Sequence, residues 1–398
     1  MVLWTRLAPE PLAPGGGMPP VPVEVRWEIG ETEDLGRPVR SGTAMARPEW
    51  GHSVHVEVSG LRPDRWYWYR FTSGGERSAT GRTRTAPAPS ALPGRLRFSF
   101  ASCQHYEAGH YTALDHLARE DNDLVIHLGD YIYEGNARDG QVRRHNGPEI
   151  LTLDDYRARY ALYKLDPALQ AAHAAAPWLV TWDDHEVDNN YAADIPQDDV
   201  PREVFLRRRA AAYQAYYEMM PLRASARPTG PDLTLYLRFD SGRLATFHVL
   251  DTRQYRTDQP CGDGNKAPCP DALNPEATVL GRTQRDWLLR GLEQSPAAWN
   301  VLAQQIMMAR VDRMAGPDLT VSMDQWPGYE FERRLLLRHF LERRIRNPVV
   351  LTGDIHTHWA NELVADFDGL DGRSVGVEFV GTSISSGGDG TAEPRTLA

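Results

Sequence analysis

Long hydrophobic runs are missing from this 398-residue chain: no stretch of 18 apolar residues occurs, so no segment is expected to cross a membrane as a helix. Runs of Lys or Arg of the kind that follow a phosphate backbone are missing too, and 44 basic against 54 acidic residues leave a formal net charge of −10. Duplex nucleic acid is therefore not an expected partner. The opening MVLWTRLAP has no charged stretch leading into an apolar one, so no export signal is read there. Cysteine is scarce, three residues in all, yet Cys261 and Cys269 close the Gly/Pro-rich CGDGNKAPC. That composition reads as a surface loop stapled by a disulfide, with two free thiols as the alternative, and the disulfide would imply maturation outside the cytosol.

What is present is enough apolar residue, 41% of the chain, to bury a full core with room for two domains. Over residues 1–86 the segments VPVEVRWEIG, HSVHVEVSG and WYWYRFTSG alternate apolar and polar residues between Gly/Pro turns, the pattern of a small all-β sandwich of fibronectin/Ig-like type. Within it LRPDRWYWY resembles a turn and strand whose Leu and Tyr pack across a corner. The Pro-rich residues 87–95 read as a linker. From 96 to 398 the apolar runs RLRFSFASC, DLVIHLGDYIY, WLVTWDD, RLATFHVLD, WNVLAQQIMM and NPVVLTGDIH alternate with helical stretches near 111–119 and at 153–175, 201–219, 282–293 and 328–345, predicting an α/β domain. The Arg-rich FLRRRAAAY at 205–213 is expected to form a solvated helix face.

Polar residues just past strands are where open α/β sheets place ligands. Three such sets stand out: Gly-Asp-Tyr-Ile-Tyr at 129–133, Trp-Asp-Asp-His-Glu at 182–186 and Gly-Asp-Ile-His-Thr-His at 353–358. Asp, His and Tyr suit hard or borderline cations, and a carboxylate can bridge two of them. Bound cations would also reverse the local sign of an acidic surface.

The order and residues of these sets resemble the calcineurin-like metallophosphatase superfamily and, within it, the PhoD-type alkaline phosphatases/phosphodiesterases. Cys103, in FASC, stands where the superfamily has its first Asp, and the usual lone His falls in VLAQQ, where Gln304 or Gln305 stands. The resemblance implies a four-layer αββα sandwich. It implies Fe(III) held by Cys103, Asp130, Tyr133 and His356, with Asp130 bridging, and Ca(II) held by Asp184 and Asp354. Asn189 and Asn190 are candidates for a second calcium or for phosphate contact. His185 is expected as proton donor on the leaving-group side, and Arg253, in LDTRQYR, as the fork that takes a phosphoryl oxygen. On that reading, replacing Arg253 spares the metals and weakens substrate use. His127 is read as structural, Asp183 as structural or a neighbour of the ligands, His358 as a neighbour of the ligands, and His105, His110 and His116 as bordering residues without a role.

The implied reaction is hydrolysis of phosphate mono- or diesters by a metal-activated water or oxide. A phospholipase D or teichoic-acid-directed phosphodiesterase is the alternative within enzymes, and a degenerate surface-binding module the alternative outside them. An extracellular or periplasmic monomer is expected, with the leader absent from this chain and the completeness of its C-terminal end left open.

Overall fold

A computed structural model describes residues 1–314, 316–369 and 372–388, so the polar tail from 389 onward lies outside the described residues. The N-terminal strands form an antiparallel sheet in the order Pro38–Ala46, Val23–Gly30, Trp66–Ser73, Glu76–Arg77, with Gly81–Arg84 also on Trp66–Ser73. A two-stranded ribbon, Val2–Arg6 with Ser53–Glu57, packs on it. Alternation sends Val25 and Ile29 inward against Leu3, Val54, Val56 and Phe71, while Glu24 and Arg26 face water. At the expected corner, the Tyr67 hydroxyl accepts the Arg62 backbone N–H at 3.0 Å and Leu61 packs on the same core.

Two further sheets follow. One is three-stranded and parallel, in the order Trp178–Val180, Leu124–His127, Phe98–Ala101. The other has six strands, Leu237–Ser241, Ala245–Val249, Trp299–Ala303, Pro348–Thr352, Ser374–Val380 and Trp359–Val364. Its four central strands are parallel and both edges antiparallel. Leu124, Ile126 and Leu128 meet Phe247, Val249, Val301 and Leu351 between the sheets. Helices Thr112–Arg119, Leu153–Lys164, Pro167–Ala175 and Arg202–Met219 pack with the three-stranded sheet, and Gly281–Gln294 and Glu330–Glu342 with the six-stranded one. Every parallel strand therefore ends at the same edge of the molecule's two-sheet core, which is where the polar motifs fall. Among the described residues no helix is long and apolar enough to cross a membrane.

Two helix expectations need correction. The single helix over 153–175 is two, because Pro167 has no N–H to continue the first and Asp166 caps the second by accepting from Ala168 N and Leu169 N. The helix expected from 328 starts at Glu330, after a 3₁₀ turn Trp326–Tyr329. The Arg-rich run also departs from a solvated face: Arg207 is exposed, but Arg208 pairs with Asp188 and Glu149, and Arg209 is buried with its guanidinium on Ala193 O and Asp232.

The core encloses neutral histidines. Burial pushes His127 down from 6.5 to about 3 and His248 to about 4, and holds His173 well below its usual value. Below pH 6.5 the unfolded chain then binds more protons than the folded one, so stability present at neutral pH is lost as pH falls from 6.5 toward 4, by about 1.4 kcal/mol per unit per histidine. The thermal midpoint should drop across that window and His248→Gln should flatten the slope; an equally steep slope in the variant would refute the assignment.

Candidate active site

Three chain segments leave parallel strands and turn sharply at once. Cys103, Asp130, Asp354 and His356 all hold left-handed backbone, with φ of 59°, 56°, 64° and 56°. Such values are uncommon outside glycine and cluster at functional sites. Before Asp130, Gly129 has φ 107°, and a Cβ there would lie 2.4 Å from Asp183 N, so only glycine lets the two motif turns touch. Glu186 locks them together: its carboxylate accepts the backbone N–H of Asp130 at 3.1 Å, of Tyr131 at 2.5 Å and of Asp183 at 2.8 Å.

The turns bring three overlapping groups of donor atoms together, each within 4.8 Å: Cys103 with Asp130 and His356, Asp130 with Asp184 and His185, and Asp183 with Asp184 and Asp354. Tyr133 belongs with the first, its hydroxyl 3.0 Å from Asp130 Oδ2, 3.3 Å from His356 Nε2 and 2.7 Å from Ser386 Oγ. Asp130 is thus shared between two groups. Asp130 Oδ1, Asp183 Oδ2 and Asp184 Oδ1 are buried without a hydrogen-bond partner. Burial, with Asp184, Asp183 and Glu186 nearby, pushes the Asp130 carboxyl well above its ordinary range despite His185. Burial and Asp130 likewise push the Cys103 thiol up. Orphaned carboxylate oxygens and a thiol that cannot ionise unaided are the condition a bound cation relieves.

Residues 98–397 match the PhoD-like phosphatase family and residues 1–87 match the PhoD-like phosphatase N-terminal domain. The chain belongs to the PhoD-like phosphatase family. It is 53% identical to alkaline phosphatase D of Bacillus subtilis over 395 residues, which is 98% of this chain and 68% of that one. A solved structure of PhoD superposes with a TM-score of 0.95 at 53% identity, covering 98% of this chain and 75% of its own. As a PhoD-like phosphatase, the protein is a metal-dependent phosphoric ester hydrolase with a mixed α/β fold.

Other residues singled out from this PhoD-like sequence fall into place by contact. His185 is held by Glu134, whose Oε2 lies 2.7 Å from His185 Nδ1, and its ring lies 4.2 Å from that of Tyr133. Although burial opposes the imidazolium, Glu134, Asp184 and Asp130 raise its proton affinity well above the usual value. Asn189 stands outside the donor groups: its side chain donates to Gln197 Oε1 at 2.7 Å and its backbone N–H to Glu134 Oε1 at 3.0 Å. Asn190 comes closer, its backbone N–H donating to Asp184 Oδ2 at 2.7 Å. Gln304 and Gln305 are spent on Ile306 O, Thr352, Thr181, Leu250 O, Thr252 and Trp326, which leaves neither as a ligand. Cys261 and Cys269 are disulfide-bonded, with Cα atoms 6.0 Å apart.

Arg253 differs most from its expected surroundings. Its side chain has no exposed surface and lies behind the carboxylates: Nε donates to Asp183 Oδ1 at 2.5 Å, Nη1 to Asp324 Oδ1 at 3.0 Å, and Nη2 lies 3.7 Å from Asp184 and 3.5 Å from Asp354. Asp183, read as structural or as a neighbour of the ligands, is part of both a donor group and this ion lattice.

Glu134, Asp324 and Gln325 were not anticipated, and Glu186, although inside the set at 182–186, was given no role. Glu134 directly follows Tyr133 and Glu186 directly follows His185, so an acidic residue after each of these side chains was the available signal. Asp324 and Gln325, which donates to Asp354 Oδ2 at 2.6 Å, reach the site on a loop with no motif of its own. Glu134→Gln should keep the metals and lower kcat by about 10–100-fold, as lost orienting contacts do; unchanged kcat across the pH range would remove Glu134 from any role in catalysis.

Proposed function

We propose that Cys103, Asp130, Tyr133 and His356 hold Fe(III), and that Asp184 and Asp354 hold Ca(II) beside it, in a phosphatase/phosphodiesterase acting on small phosphate mono- or diesters. The observation that carries this is the sharing of Asp130 between two donor groups of different chemistry. One group offers thiol, imidazole and phenol, donors suited to a ferric ion; the other joins Asp130 to Asp184 and His185, and Asp184 is shared in turn with a group of carboxylates alone, Asp183, Asp184 and Asp354, suited to calcium. Metals bound there supply Lewis acidity, a nucleophile of lowered pKa and a counter-charge for the departing oxygen.

The chain's own groups do the rest. Glu134 fixes His185 with its Nδ1 proton inward, leaving Nε2 to face substrate as proton donor to the leaving group. Arg253 acts through Asp183, Asp184, Asp324 and Asp354, setting their spacing and offsetting part of their charge, which makes it a positioning residue. Asn189 contributes through its backbone N–H to Glu134.

The layer sequence of helices, three-stranded sheet, six-stranded sheet and helices supports a four-layer αββα reading for 96–398, with 1–86 as an all-β domain and 87–95 as the linker. The disulfide supports an extracellular or periplasmic location, and we take the protein as a monomer; among diesters, phospholipid or teichoic acid would be reached only from that side.

Elemental analysis of protein purified without chelator, with a visible spectrum, tests the metals. Near-stoichiometric iron with calcium and a tyrosinate-to-Fe(III) charge-transfer band are expected, and Tyr133→Phe should abolish the band. Zinc alone, or no metal, would overturn the assignment of Cys103 and Tyr133.

A further inference from the structure

Apart from the metal-ligand turns, the N-terminal ribbon and the helical layer line a cavity of about 960 Å³, within the range that takes a small organic ligand. The two parts meet firmly around it. Trp4 Nε1 donates to Glu218 O at 2.9 Å, His55 lies 2.9 Å from both Tyr217 O and Met220 O, and Arg82 donates to Ala175 O at 2.9 Å. The walls include the apolar side chains of Trp4, Phe71, Leu169, Leu235 and Phe239.

Its charge is opposite to that of the chain. Seven Arg and Lys side chains line the cavity against two carboxylates, Asp64 and Asp123, in a protein of formal charge −10. Both carboxylates are already taken by Arg84, and Arg223 turns to Glu57. Arg82 and Arg238 turn to Asp121 and Asp240, which leaves Arg6, Arg95 and Lys164 outside the ion pairs of the described residues, with Glu218 near enough to favour the charge of Arg6. Lys164 is one of two lysines in the chain, the other being Lys266. Its ammonium lies 4.7 Å from the Trp4 ring centroid and donates to the Tyr131 hydroxyl at 3.1 Å, which in turn lies 2.8 Å from His173 Nε2. Only one of its three protons is used on this neutral partner. A cation in an apolar cavity without a counter-ion is costly, and an anion beside it would offset the cost. Burial pushes the ammonium down to about 7, in keeping with that deficit.

We propose that this cavity is a binding site, separate from the phosphoesterase centre, for a small amphiphilic acid: one anionic head on Lys164 and Arg6, and an aliphatic or aromatic body along the Trp4 wall. The head chemistry is a single carboxylate or phosphate.

The probe is a dansyl-labelled undecanoic acid titrated into the full metal-replete chain, with laurate and dodecanol as competitors. One saturable site per chain is expected, displaced by laurate, with dodecanol at least about tenfold weaker because it cannot form the charge-assisted contact. Lys164→Met should weaken laurate by about tenfold or more while hydrolysis of p-nitrophenyl phosphate stays at the parent rate. Arg6→Gln gives a second test from a strand rather than the helix that carries Lys164, and circular dichroism verifies folding of each variant. Absence of saturable binding, equal displacement by dodecanol and laurate, or undiminished binding by both variants would overturn the proposal, as would binding to lipid vesicles without binding to the monomeric acid.

Discussion

Asp130→Asn is expected to yield a folded protein that has lost its metals and nearly all turnover. The amide keeps the backbone N–H that Glu186 accepts and can still meet the Tyr133 hydroxyl, so the turn survives. What disappears is the negative charge shared by the two donor groups. Because burial and neighbouring carboxylates oppose that charge while no cation is bound, the metal-free variant should melt at or above the temperature of the metal-free parent. Bound metals supply several kcal/mol of transition-state stabilisation, so hydrolysis of a chromogenic monoester or diester should fall by about a thousandfold or more. Elemental analysis, melting temperature and initial rates on one preparation decide the matter. Normal iron and calcium with normal rates would sink the role given to Asp130.

Removing the Arg253 guanidinium should harm folding as much as chemistry. Arg253→Met leaves four carboxylates, on Asp183, Asp184, Asp324 and Asp354, facing a site with one fewer buried cation. Breaking a buried ion pair from one side costs about 3–5 kcal/mol. The metal-free variant is therefore expected to show a clearly lower denaturation midpoint, with weaker metal retention on dialysis. Arg253→Lys keeps the charge but loses the fork, and should fall between. If instead Arg253→Met kept full stability and metal content and raised only KM, the guanidinium would be the direct phosphoryl contact that its sequence context first suggested.

The motif residues were legible because each donor group draws on short contiguous strings placed directly after apolar strands. A run such as VIHLGD carries its own strand, its own turn glycine and its own ligand. Strands were legible for the same reason: fully buried parallel strands are unbroken apolar runs. The surroundings of Arg253 were not legible, because Asp183 lies 70 residues before it and Asp324 71 after it, with no shared periodicity. Nor was the fate of the Arg run at 207–209, since helix periodicity tells which residues share a face but not that the loops carrying Asp188 and Asp232 fold back over it. The break at Asp166 was open to reading: Asp-Pro after an apolar stretch is a cap followed by a helix start, and the apolar pattern running through it hid the signal. The seam cavity draws its walls from scattered segments between residues 1 and 241, which no local pattern connects.

The left-handed turns at 103, 130, 354 and 356 also limit what can stand at these positions over evolutionary drift or in a designed library. Asp, Asn and His enter that conformation more readily than other residues with a Cβ, and β-branched residues almost never do. A valine there would break the turn before its lack of a donor atom mattered. Backbone stereochemistry and coordination chemistry therefore filter the same alphabet at three of the four sites. Cys103 is the exception, kept against the preference of its own backbone, and it is the position where redesign toward a different metal would meet the least conformational resistance.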